Sequence, residues 1–91
     1  MTPRWWRLGV LVEREGAPWT MTFHARARSE AGARRLVAER LPGERHAVYA
    51  CRKSEPIPKL PREEDVAAVF GPYRRSWDDP AVAKLRGLLG A

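Results

Sequence analysis

Ninety-one residues suit one small domain, residues 1–91, whose core can bury enough apolar surface for only marginal stability. With 44% hydrophobic and 31% charged residues the chain reads as folded rather than disordered, and its longest apolar run, Leu8 to Val12, is far too short to cross a bilayer. Seventeen Lys and Arg against eleven Asp and Glu leave a formal charge of +6, which favours polyanionic partners, although the predominance of arginine is also what a GC-rich genome produces.

The N-terminal "MTPRWWR" lacks the apolar core of a secretion signal, so a cytoplasmic location is expected. Cys51 is the single cysteine, which excludes an internal disulfide. In residues 5–13, Trp6, Leu8, Val10 and Val12 alternate onto one face, the period of a half-buried strand. After the turn residues "EREGAP" the alternation resumes, with Trp19, Met21, Phe23, Ala25 and Ala27 on one side and Thr20, Thr22, His24 and Arg26 on the other. These two runs predict a β-hairpin.

Ser29 is placed to cap a helix over "EAGARRLVAERL", in which Ala33, Leu36, Val37 and Leu41 recur at helical spacing before Pro42-Gly43 ends it. Gly32 in its first turns disfavours helix by about 1 kcal/mol relative to Ala, which points to close packing on the sheet. "RHAVYACR" predicts a third strand, and the polar ends of the His46 to Arg52 set favour Ala47, Tyr49 and Cys51 as its inward side. Residues 53–61 carry three prolines and read as an extended, proline-rich surface connector.

"REEDVAAVFG" predicts a short helix, with acidic residues 63–65 at its positive end, a stripe of Val66, Val69 and Phe70, and a Gly71-Pro72 stop. "DDPAVAKLRGLLG" predicts another, capped by Asp79, started by Pro80 and striped by Val82, Leu85, Leu88 and Leu89. The expected fold is therefore α+β: a three-stranded antiparallel sheet in the order β-β-α-β, one helix packed on a face, and two short C-terminal helices.

"RARSEAGARR" places four arginines within ten residues, yet strand and helix geometry divides them. Arg26 and Arg28 lie on and beyond the polar side of the second strand, whereas Arg34 and Arg35 sit on the helix with Glu30 and Glu39 four residues away. The polar face of the hairpin offers Trp5, Arg7, Thr20, Thr22, His24 and Arg26. It either stays open, able to stack bases and bind phosphates, or packs beneath the C-terminal segment with Trp5 and Leu11 as second-core residues. A second basic and aromatic cluster, Tyr73 to Trp77, either clamps a nucleic-acid backbone through Arg74 and Arg75 or fastens an irregular segment to the domain. Arg52, Lys53 and Lys59 add charge to the connector.

An enzyme is not expected. Cys51 and His46 stand five apart, which on a regular strand sends them to opposite faces, and no pair of ligands has metal spacing. Glycines occur singly, so there is no phosphate-binding glycine loop, and no cofactor or small-molecule substrate is indicated. The sequence favours a non-enzymatic nucleic-acid-binding module that uses Trp5, Arg7, Arg26, Arg28, Arg74, Arg75 and Trp77. The alternative is a protein-interaction or regulatory module, in its simplest form a homodimer, acting through a sheet edge or the C-terminal apolar helix.

Overall fold

A computed structural model describes residues 3–55 and 65–90 of the chain. The fold is α+β, built on a four-stranded antiparallel sheet in the order β3-β1-β2-β4. At its centre β1 (Arg4–Arg14) and β2 (Ala17–Ala27) form the expected hairpin. Glu15 and Gly16 close it with φ of 54° and 75°, the paired left-handed conformation that matches the twist of a two-residue hairpin.

Helix α1 (Glu30–Glu39) begins where the Ser29 hydroxyl accepts from the Gly32 amide at 3.1 Å. It buries Ala33 and Val37, with Leu41 just beyond its end, against Leu8, Val10 and Val12 of β1, Met21, Phe23 and Ala25 of β2, and Val66. Gly32 serves as its spacing predicts: a Cβ there would stand 3.3 Å from the Ala27 Cβ, so helix and sheet meet at glycine distance.

Strand β3 (Arg45–Ser54) pairs with β1 along one edge and takes in Arg52, Lys53 and Ser54, so the extended chain begins later than the prolines suggest. Most of the expected connector, residues 56–61, lies outside the described residues. Of the inward set expected for β3, Ala47, Tyr49 and Cys51, only Cys51 faces the helix-side core. Val10 faces Val48 and Gly9 faces Ala50, so Tyr49 is an extra residue in a β-bulge and the phase of the strand reverses there. Val48 and Cys51 pack toward the helix-side core, whereas Ala47 and Tyr49 belong to the reverse face. The bulge also brings His46 and Cys51 onto the same face, but opposite Val12 and Leu8, four residues apart, which is about 13 Å along a strand and still precludes a shared site.

The expected short helix at 63–71 is replaced by strand β4 (Val66–Arg74), paired with β2, and the sheet gains a fourth strand. Only a few residues separate Asp65 from Gly71-Pro72, too few to nucleate a lasting helix, and the free edge of β2 offers a ladder of backbone partners instead. Glu63 and Glu64 lie outside the described residues. Helix α2 (Pro80–Arg86) forms as expected, its Asp79 cap accepting from the Ala81 amide at 2.9 Å. The chain then tightens into a single 3₁₀ turn (Gly87–Leu89), which rotates Leu88 off the stripe and into solvent.

Candidate functional site

The helix covers one face of the sheet, and the reverse face is divided. One half lies under the C-terminal segment. There Leu11 and Pro18 are fully buried and Ala47 and Val82 nearly so, and none of them belongs to the helix-side core. Polar contacts fasten the covering segment: Trp77 Nε1 donates to the Gly16 carbonyl at 2.8 Å, the Arg75 amide to Pro18 at 2.8 Å, and the Arg45 guanidinium to the Leu89 and Gly90 carbonyls.

The other half remains open, and the cross-strand pairings fix what it presents. One row reads Ala50–Gly9–Thr22–Phe70 from β3 to β4, and the next reads Arg52–Arg7–His24–Ala67. The bulged Tyr49 lies over Gly9: a Cβ on Gly9 would stand 2.7 Å from the Tyr49 Cε2, so only glycine leaves room for the ring. The result is a trough of about 350 Å³ lined by Arg7, Gly9, Thr22, Tyr49, Ala50 and Arg52. Tyr49 bounds it at β3 and Phe70 rises at β4, three strand spacings or about 14 Å away. Both rings stay accessible, Tyr49 at 39% and Phe70 at 49% of full exposure.

Electrostatically the trough is one-signed. Arg7 and Arg52 are cross-strand partners on β1 and β3, and among the described residues neither has a carboxylate in ion-pair reach. Arg7 extends across β2 until its guanidinium lies 5.8 Å from the Phe70 ring centroid. That reach, with the Trp5 ring 6.5 Å away on the other flank, seals His24 to 3% exposure. Burial, and secondarily the charge of Arg7, pushes the His24 imidazole below its usual range, so it is held neutral, and its Nδ1 has no hydrogen-bond partner.

The residues singled out in the sequence do not form one surface. Trp5, Arg7 and Arg26 share the open face, but Arg26 sits at its far end in an ion pair with Asp65 at 3.1 Å. Arg28 is exposed in the loop between β2 and α1. Arg74 pairs with Trp19 and so faces the helix side, away from Arg75. Arg75 donates to the Thr20 hydroxyl at 2.7 Å and lies over Tyr73, and Trp77 carries the Arg86 guanidinium 4.7 Å from its ring centroid. "YRRSW" therefore fastens the C-terminal segment.

Tyr49, Arg52 and Phe70 had no place in the sequence-derived site. The one available signal was Gly9, a glycine inside an otherwise apolar strand, which marks the close approach of another group. Elsewhere, burial and then the charge of Glu30 raise the Cys51 thiol, leaving it a poor nucleophile. Among the described residues no three His, Cys, Asp or Glu converge on a metal position, and no helix is long and apolar enough to cross a membrane. Comparison with known proteins finds no matching family model, no matching curated protein and no matching solved structure.

Proposed function

We propose that this protein is a small non-enzymatic module of the cytoplasm that binds single-stranded nucleic acid on the open half of its sheet. The observation that carries this reading is the trough itself: two unneutralised arginines and two accessible rings around a floor of small residues, with no carboxylate in its lining. Aromatic faces accept unpaired bases without regard to sequence, and guanidiniums take the phosphates between them. A duplex hides its bases from such a pleated surface, so single strands are preferred.

The alternative of a protein-interaction module has less support from the edges of the sheet. β3 carries Arg45, Arg52, Lys53 and a bulge along its length, and β4 carries Gly71-Pro72 and two register shifts, all devices that discourage strand addition. The apolar side of α2 is spent inside the molecule, where Val82 is buried.

The test is a titration of labelled oligothymidylate and oligouridylate of about eight nucleotides at roughly 50 and 200 mM salt, beside a duplex of the same length. Expected is tighter binding of single strands and a logarithmic salt slope of about −0.7 for each phosphate neutralised. Absence of binding at the lower salt would refute the reading.

A further inference from the structure

Resting on the nucleic-acid reading, we propose that the trough is a subsite for one phosphate-bearing nucleotide unit. The strand crosses perpendicular to the β-strands, its phosphodiester bridges Arg7 and Arg52, and its flanking bases lie on Tyr49 and Phe70.

Three independent features converge on this arrangement. Arg7 and Arg52 both line a trough that holds no carboxylate, and an anion there can be gripped by two charge-assisted hydrogen-bonding forks once Arg7 swings back from Phe70 and frees that ring's face. The floor is kept low where a ligand would lie: Gly9 has no side chain, Ala50 has one carbon, and Thr22 adds a hydroxyl able to donate or accept. The volume of about 350 Å³ falls at the small end of ligand sites, suited to one unit of a chain and not to a folded partner.

The direction follows from the register. Phe70 ends the paired row Ala50–Gly9–Thr22–Phe70 on one edge strand and the bulged Tyr49 overlies Gly9 of that row from the other, so a chain that stacks on both must run across β1 and β2. Along the strands its path is bounded on one side by the C-terminal segment, over Leu11 and Ala47, and on the other by Arg7 as it reaches over His24.

The experiment is fluorescence anisotropy of labelled oligothymidylate with the full chain and four variants, each checked by circular dichroism for retained fold. Arg52→Ala should weaken binding about tenfold or more. Tyr49→Leu keeps an apolar cover over Gly9 but has no π face, and should weaken binding roughly five- to hundredfold, whereas Tyr49→Trp should retain it. Arg35→Ala, exposed on α1 across the sheet from the trough, should leave binding unchanged. If the unaltered chain binds and both Arg52→Ala and Tyr49→Leu bind equally well, the subsite is wrong and the broader reading stands. If the unaltered chain does not bind, both are wrong. Equal affinity for a phosphotyrosine peptide would likewise overturn the nucleotide assignment.

Discussion

His24 is a titratable ring enclosed beside an arginine, and its cost depends on pH. Its folded-state pKa lies below the ordinary value of 6.5, so below that pH the unfolded chain binds the proton more readily than the folded one. The stability that goes with a neutral His24 is therefore fully present above about pH 6.5 and is lost as pH falls from there through the folded pKa. Urea midpoints at about pH 5 and 7.5 should show the chain weaker at the lower value, and His24→Gln, which cannot titrate, should shrink that difference. An identical pH response in the variant would show that the ring does not contribute. The alternation of β2 correctly placed His24 on the reverse face, yet its enclosure was not legible, because that depends on where Arg7 reaches and sequence period carries no such information.

At the scale of elements, the readable ones had their signals within the element. The hairpin followed from period-2 alternation, and α1 followed from a capping serine and a stripe at helical spacing. β4 had no such autonomy: Val66 and Phe70 are spaced for either a helix or a bulged strand, and the exposed ladder of β2 decides between them. Gly71 locks that choice in place. It adopts a φ of 87°, and a Cβ there would stand 2.6 Å from the Thr20 carbonyl oxygen, which is backbone and cannot swing away. Gly71→Ala should cost about 1–3 kcal/mol, read from urea unfolding, and hydrogen exchange should show β4 amides losing protection before those of β1 and β2. Uniform loss across the sheet would mean that β4 is not separately anchored. The same reasoning explains the misplaced residues of β3: one inserted residue reverses the phase of a strand, and nothing in "HAVYACR" announces where the insertion falls.

Taken as a whole, the sheet spends one face and half of the other on packing, and in the remaining half Arg7 and Arg52 have no carboxylate partner among the described residues. Arg14, Arg26, Arg34 and Arg45 each have a carboxylate partner, which leaves the net surplus of +6 unchanged and places it on the other cations. Composition therefore points to no particular place on the surface. The sequence brought forward Trp5 and Arg7, which do face the opening, together with Arg75 and Trp77, which hold the C-terminal segment down. Arg52 reads as the end of the third strand and as added charge beside the connector, but nothing in the sequence announces the pairing that sets it opposite Arg7.

The misfit at position 49 has a corollary. Because Val48 already faces Val10 and Ala50 already faces Gly9, excising Tyr49 would join two halves that are in step, and the β1–β3 ladder would close without a gap. A chain shortened by that one amino acid should melt close to the parent temperature and, on the proposed reading, hold oligothymidylate more weakly, so that scaffold and ring can be separated by a single deletion.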